Sequence, residues 1–382
     1  MISAELPPLL RDPVTAVRYL EAGPGRVKVV VSSRFLLRSE LRIGDGIYPE
    51  CRNRIEPYDF LTHVFFVPEG SLRRGEEITF AYSGSEDEAG FRKGHFAQGI
   101  ARFRYGGEAF LKPDALHRAA LSGLKLSHSS REPVTQGVTY VESLYHDRSG
   151  LPVRTFALLV DTKEAGFVAG TPEDGYQAIN SKQDVLGQMR AAISGGRPVI
   201  AAVNGDFFDM FGDFSPSGPC VKDGKRIWAG DETRPVLGLT DDGSLFIGDL
   251  SDRTDLQQAV GGMPLILKDG KPHELLPGEP FGDLRHPRTA VGLGEAGQLI
   301  LLVVDGRIPE HSNGASLGDL AGLMEELGAR EAMNLDGGGS AILVLNRDSA
   351  LTVMNRPADL IRPMDNLVRD IFNSVLVVGK GK

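Results

Sequence analysis

Six consecutive apolar residues, Leu299-Ile300-Leu301-Leu302-Val303-Val304, run without a break into Asp305-Gly306-Arg307. A run that short and that apolar, rich in branched side chains, reads as a strand buried on both faces. Such a strand demands a layered core, with other elements packed on either side of its sheet. The same junction recurs along the chain. Pro198-Val199-Ile200-Ala201-Ala202-Val203 empties into Asn204-Gly205-Asp206-Phe207-Phe208-Asp209. Ala332-Met333 leads into Asn334-Leu335-Asp336-Gly337-Gly338-Gly339-Ser340, ahead of a further strand expected at Ala341 to Leu345. His286-Pro287-Arg288-Thr289 stands just before a strand opening at Ala290. Polar, glycine-rich loops at the ends of buried strands are where such folds place ligands.

The remaining patterns frame these junctions. Thr155 to Val160 reads as a strand, and Asp184 to Ile193 and Ser316 to Leu327 have helical spacing. Upstream, Arg26 to Arg34, Thr62 to Val67, Glu77 to Tyr82 and Phe96 to Tyr105 read as strands, divided by turns such as Arg42-Ile43-Gly44-Asp45-Gly46. No long helical period interrupts them between Gly23 and Gly107. Residues 112–135 are mixed, with Ser127 to Glu132 polar and Pro133 closing the stretch. A chain of 382 residues exceeds one ordinary core. The expectation is therefore an α+β chain in two parts. A small all-β, sandwich-like accessory domain (1–112) and a linker (113–133) precede a catalytic domain (134–382) built on a mixed β-sheet with flanking helices.

There is also an internal echo. Lys222-Asp223-Gly224-Lys225 recurs as Lys268-Asp269-Gly270-Lys271. Arg234-Pro-Val-Leu-Gly238-Leu239 with Gly243 recurs as Arg288-Thr-Ala-Val-Gly292-Leu293 with Gly297. The sequence allows two accounts: two copies of one β-rich unit, or chance similarity among glycine-rich hairpins.

A formal net charge of −9 argues against broad binding to nucleic acid or anionic membranes, but leaves room for a local anion site made of arginines and amides. No apolar run reaches membrane-spanning length. Cys51 and Cys220 lie far apart and outside any metal-ligand spacing, so two free thiols are expected. Met1 to Glu5 lacks the basic and apolar regions of a signal peptide. The chain as written is expected in the cytoplasm, with secretion left open if a leader was removed.

Three successive glycines, Gly337 to Gly339, let the backbone turn tightly and present amide N–H groups to an anion. Asp336 beside them needs a separate task, such as polarising water or steadying positive charge at an anomeric carbon. Arg288 and Arg307 suit a bidentate phosphate clamp. Each feature alone has a plainer meaning: a wide hairpin loop at 336–339, a type I′ turn at Asp305-Gly306, a salt-bridged Arg288, or capping by Asn204 and Asp206. His286 read alone is structural, and Trp228 and the Phe207-Phe208 pair are core or pocket wall. Four such clusters beside apolar strands in one domain favour the functional reading.

The ordered set Asn204-Gly205-Asp206-Phe207-Phe208, His286-Pro287-Arg288-Thr289-Ala290-Val291-Gly292, Asp305-Gly306-Arg307 and Asn334-Leu335-Asp336-Gly337-Gly338-Gly339-Ser340 resembles the signature of the phosphodiester glycosidases. The helix around Leu317 to Leu327, Asn355-Arg356-Pro357 and the entry Gly137-Val138-Thr139-Tyr140 agree with it. The resemblance runs from about residue 134 to the C-terminus and is absent from the first 110 or so residues.

It implies cleavage between an anomeric carbon and a phosphodiester oxygen, giving free sugar and a phosphomonoester. That leaving group is better than an alcohol, so demand shifts to phosphate binding and to stabilising the sugar cation. On this reading Asp336 and Asp206, with Asp305, are the candidate catalytic carboxylates. Arg288, Arg307, Gly337, Gly338, Gly339, Ser340 and Thr289 hold substrate, while Asn204 and Asn334 bond sugar hydroxyls or orient the carboxylates. No cofactor is required, and a structural calcium ion stays open. The partner implied is a small-molecule or glycan sugar-1-phosphodiester, with neither nucleic acid nor membrane, and the oligomeric state is unspecified. Two rivals remain: a metal-dependent phosphodiesterase using Asp206, Asp209, Asp213, Asp305 and Asp336, and a non-catalytic sugar-phosphate or polysaccharide-binding protein.

Overall fold

The structure is a computed structural model describing residues 14–21, 25–33, 36–50, 62–85, 97–107, 123–148, 150–210, 212–250, 253, 255–273, 284–295, 297–309, 311–347, 349–358, 360–362, 365–366 and 368–380. The described residues are mostly strand, with two ten-residue α-helices among them. None of those helices is long and apolar enough to cross a membrane. The chain falls into two compact units, Met1–His117 with Leu360–Asp365, and Arg118–Asp359 with Asn366–Lys382.

In the first unit, Val14–Glu21, Arg26–Ser33 and Thr62–Pro68 form one antiparallel sheet. Gly46–Pro49, Leu36–Ile43, Glu77–Ser85 and Ala97–Arg104 form another. Alternation supplies their common core: Val27, Val29, Val31 and Phe65 point in from one sheet, and Leu41, Ile43, Ile78 and Phe80 from the other. The strand at Leu36–Ile43 escaped sequence reading because Arg38, Glu40 and Arg42 alternate with its apolar residues in a short, charged segment.

The second unit is layered as the 299–304 run demands. Leu299, Leu301 and Val303 face a core shared with Phe167, Val203, Val260 and Leu343. Their alternates Ile300, Leu302 and Val304 face Leu317, Leu320 and Met324 of the helix Leu317–Glu326. That helix starts where Ser316 and Asp319 form a reciprocal capping box. The other helix, Val185–Ser194, begins at Asp184, whose carboxylate accepts the Gly187 amide at 2.7 Å, and packs Met189 and Ala192 on Val199 and Ala202.

The sheets of this unit differ from the expected mixed sheet: all neighbouring strands are antiparallel. A strand buried on both faces looks alike in either arrangement, and here tight hairpins make many of the connections. The expected linker also differs. Lys125–Thr135 is a strand paired with Val138–His146 across a turn at Gly137 (φ 74°). It is an exposed edge strand, so it carries no apolar alternation to read. Positions 113–122 lie outside the described residues.

The echo is structural. One sheet orders its strands Lys225–Trp228, Cys220–Lys222, Leu256–Gly261, Val236–Thr240, Leu245–Gly248. The larger sheet begins Lys271–Pro272, Leu265–Lys268, Ala329–Asn334, Arg288–Gly294, Gln298–Val304, the same topology, before continuing to Pro152–Asp161, Val138–His146 and Lys125–Thr135. The registers match as well: Val236 pairs with Gly261 as Ala290 pairs with Asn334, and both ladders shift just after Leu239 and Leu293. Both Asp-Gly turns take two left-handed residues, Asp223 (φ 49°) with Gly224 (φ 72°), and Asp269 (φ 52°) with Gly270 (φ 70°). The duplication places Arg234 and Arg288 at equivalent positions, and likewise Gly261 and Asn334.

One of those hairpins anchors a buried ionic network. Lys222, with no solvent exposure, donates Nζ to Ala169 O (2.8 Å) and Asp174 Oδ1 (2.6 Å). Arg197 bridges Asp174 (3.0 Å) and Asp223 (2.6 Å), and Tyr176 and Gln258 also donate to Asp223. Burial raises the cost of charging Asp223, but the bonds from Arg197, Tyr176 and Gln258 prevail and hold its pKa down at about 2, from 3.8. A carboxyl depressed in the folded state stabilises it above the unfolded value and loses that contribution as pH falls. Unfolding by urea is therefore expected to become easier between pH 3.8 and about 2, and Asp223→Asn to flatten that part of the profile.

Candidate active site

The buried strand Val199–Asn204 delivers Asn204 to the centre of the site with no solvent exposure. Its Oδ1 accepts from Thr289 Oγ1 (2.7 Å) and the Ile342 amide (3.2 Å), and its Nδ2 donates to Asp336 O (2.6 Å). Every hydrogen-bonding group of that amide but one N–H is thus used inside the protein. The Asp336 amide in turn donates to Gly205 O (3.0 Å), and the Leu335 amide to Thr289 O (2.8 Å). The first, second and fourth motifs meet here.

The third motif joins through backbone contact. Pro287 O accepts the Gly338 amide at 2.9 Å. A Cβ at Gly306 would stand 2.6 Å from Pro287 N, and one at Gly338 only 2.9 Å from Arg307 Nη2. All four loops are therefore interlocked, as the sequence reading requires. Arg307 holds a left-handed backbone (φ 65°), unusual for a non-glycine residue and typical of sites that aim a side chain.

Exposure then separates the residues by task. Asp206 is 2% exposed: Oδ1 accepts the Phe207 amide (2.8 Å) and Arg234 Nη2 (2.9 Å), and Oδ2 accepts the Gly218 amide (2.6 Å). A Cβ at Gly261 would lie 2.6 Å from that oxygen, so bare backbone covers the carboxylate. Burial pushes its pKa up, with Arg234 and the two amides pulling the other way. Asp206 is enclosed by protein and is corrected from water activator to anchor for Arg234. Asp305 is 1% exposed and accepts from Asn355 Nδ2 (2.9 Å), the Arg356 amide (3.0 and 3.1 Å) and His311 Nε2 (2.8 Å). It fastens the loop at 355–356 and orients an imidazole.

Arg288 needs the same correction. It is 4% exposed, and Nε and Nη2 donate to Ala315 O (3.1 Å) and Leu284 O (3.0 Å). The fork holds main chain in place and is not presented as a phosphate clamp. Thr289 and Asn204, expected to meet the substrate, have no exposure and hold the Asp336 turn.

What remains accessible is a smaller set. Asp336 is partly exposed, and its Oδ1 accepts the Gly337 amide at 2.8 Å. Arg307 is partly exposed, has no hydrogen-bonding or ionic partner among the described residues, and buries its Nε without an acceptor. Of the glycine amides, those of Gly337 and Gly338 are spent on Asp336 and Pro287, and that of Gly339 has no partner among the described residues. Ser340 is 2% exposed and accepts at Oγ from Arg369 Nη1 (3.3 Å).

One residue that motif reading passed over, Arg234, joins the expected Asn334 to complete the site. Arg234, held by Asp206 and stacked at 5.3 Å on Phe207, buries Nε without an acceptor and offers Nη1 only the Met263 thioether. The equivalence with Arg288 was the available signal. Asn334 donates Nδ2 to Met263 O (2.8 Å) and buries Oδ1 without a donor. Both residues reach Met263, and unsatisfied buried donors and acceptors there mark a place for a polar ligand. Cys220 is a buried free thiol pushed up to about 12 by burial, inert as a nucleophile, and Cys51 lies outside the described residues. Among the described residues no group of three His, Cys, Asp or Glu side chains is placed to hold a metal ion.

Residues 197–373 match the family model of the phosphodiester glycosidases, a segment that contains all four motifs. The chain's resemblance to that family stands. Among individual proteins, it is 30% identical over 236 residues to the N-acetylglucosamine-1-phosphodiester alpha-N-acetylglucosaminidase of Bos taurus, covering 56% of this chain and 40% of that one. The Mus musculus enzyme of the same name is 27% identical over 271 residues, covering 65% and 46%. The chain thus spans less than half the length of these curated relatives. It shares a fold with the zebrafish enzyme's catalytic domain, a structure described as auto-inhibited by its pro-peptide, at a TM-score of 0.53 and 24% identity, covering 67% of this chain and 88% of that one.

Proposed function

We propose that this protein hydrolyses the bond between the anomeric carbon of a sugar and a phosphodiester oxygen, releasing free sugar and a phosphomonoester. The observation that carries the reading is Arg307, whose guanidinium has no hydrogen-bonding or ionic partner among the described residues and packs on the Gly338 turn, two residues from the partly exposed Asp336. Cation and free amide face a phosphate, and the carboxylate faces the neighbouring ring.

The order of groups along the chain sets the order of subsites. Asn334, Asp336 and Gly338 follow one another at two-residue steps, each at most about 7 Å. Arg234 and Asn334 then receive the sugar, Asp336 stabilises positive charge at the anomeric carbon and draws a proton from water, and Arg307 with the Gly339 amide holds the phosphate. The relatives' names specify N-acetylglucosamine. An acetamido group offers one N–H and one C=O, matching the vacant Asn334 Oδ1 and the vacant donors of Arg234. The assigned chemistry calls for no metal or organic cofactor.

Incubation with an N-acetylglucosamine-1-phosphodiester, with both products quantified, tests the proposal: equal amounts of reducing sugar and phosphomonoester are expected, and turnover of no sugar-1-phosphodiester would refute it. Arg307→Ala is expected to cut kcat/KM by about 10²-fold, about 2.7 kcal/mol of transition-state binding. Arg288→Ala, by contrast, is expected to lower the melting temperature, with no selective loss against phosphate-bearing substrates.

A further inference from the structure

The loop that carries Arg307 also carries a histidine that the roles above leave unused. We propose that His311 is the proton donor to the departing phosphate oxygen and that Asp305 is its positioning residue, an inference that rests on the glycosidase reading. His311 Nε2 lies 2.8 Å from Asp305 Oδ2, and the carboxylate is itself fixed by Asn355 and by the Arg356 amide. A carboxylate at Nε2 assigns that nitrogen its hydrogen and leaves Nδ1 as the ring position that exchanges a proton with a ligand. Nδ1 has no partner among the described residues, and the side chain is 26% exposed while Asp305 is enclosed.

The loop is rigid. The His311 and Ser312 amides both donate to Ile308 O (2.8 and 2.6 Å), and Ser312 Oγ donates to Asp305 O (2.6 Å). This turn sets His311 on the segment whose Arg307, the proposed phosphate ligand, packs on Gly338. The charged group in contact with the imidazole is Asp305, which also accepts the Arg356 amide; Arg307 stands on the same loop.

The step balances. The bond from the anomeric carbon to the bridging oxygen breaks with its electron pair going to oxygen, and the proton on His311 Nδ1 passes to that oxygen. Water adds to the carbon and gives its proton to Asp336, and solvent returns both groups to their starting state. A buried-ended, carboxylate-held imidazole serves as such an acid to the extent of about 10²–10⁴ in rate.

The test is a pH–rate profile of the full chain and of His311→Ala on a sugar-1-phosphodiester, with and without added imidazole. We expect kcat down about 10²-fold with KM within a few-fold, loss of the alkaline limb, and recovery of turnover by imidazole. Asp305→Asn should move the alkaline limb without abolishing it. An active parent whose His311→Ala variant retains kcat and its alkaline limb, or loses kcat without rescue while folded by circular dichroism, overturns the inference alone. A parent inactive on all sugar-1-phosphodiesters overturns the glycosidase reading and this inference with it.

Discussion

Asp336→Asn is expected to lower kcat about 10³-fold, about 4 kcal/mol in barrier, with the melting temperature close to that of the parent. The substitution keeps the side chain's shape, and an amide oxygen can still accept the Gly337 N–H that Asp336 Oδ1 accepts at 2.8 Å. The negative charge is removed. Of the three candidate carboxylates, Asp336 is the partly exposed one, whereas Asp206 and Asp305 are buried with both oxygens on protein donors. Asp206→Asn should therefore behave differently, breaking the 2.9 Å pair with Arg234 and lowering stability together with activity. Steady-state kinetics and thermal melts of both variants separate the two roles. An Asp336→Asn enzyme within a few-fold of the parent would remove that residue from the chemistry.

Lys222→Ala is expected to destabilise the second unit by about 3–5 kcal/mol, the usual cost of stranding one member of a buried ion pair. Lys222 is fully enclosed, and its loss leaves Asp174 Oδ1 and Ala169 O without the donor that joins them. Arg197 still bonds Asp174 Oδ2, so the network is weakened and not dissolved. Lys222→Met restores much of the volume but not the charge and should recover only part of the loss. Urea midpoints read at constant m value give the answer, and a shift below about 1 kcal/mol for Lys222→Ala would contradict the assignment.

Much of this architecture was legible because buried strands announce themselves. The run 299–304 alternates between two cores as a doubly covered strand must, and the helix starts at Asp184 and Ser316 lie where capping chemistry puts them. Strand direction was not legible, because apolar runs carry no information about which neighbour they pair with. The exposed strand Lys125–Thr135 was missed for want of any buried face.

The site was legible as a set of loops and less so residue by residue. Glycine spacing and polar clusters find the turns that converge, but Asn204, Asp206, Asp305 and Arg288 look in sequence just as a substrate-binding group would. Burial alone distinguishes the residues that hold the turns from those that face outward, and burial is a property of packing. Lys222 shows the same limit: in Lys222-Asp223-Gly224-Lys225 it reads as half of a surface turn, yet the duplication places it inside an ionic core. Arg234 was visible only as the partner of Arg288 in the echo; in the folded chain Arg234 buries Nε without an acceptor, while Arg288 donates to main-chain carbonyls.

The central claim is that Asp336 works at carbon while Arg307 holds phosphate. Turnover of a sugar-1-phosphodiester in heavy-oxygen water, with mass analysis of both products, tests it most directly. Label at the anomeric position of the sugar and none in the phosphomonoester is the predicted result. Label in the phosphate would show attack at phosphorus and contradict the account.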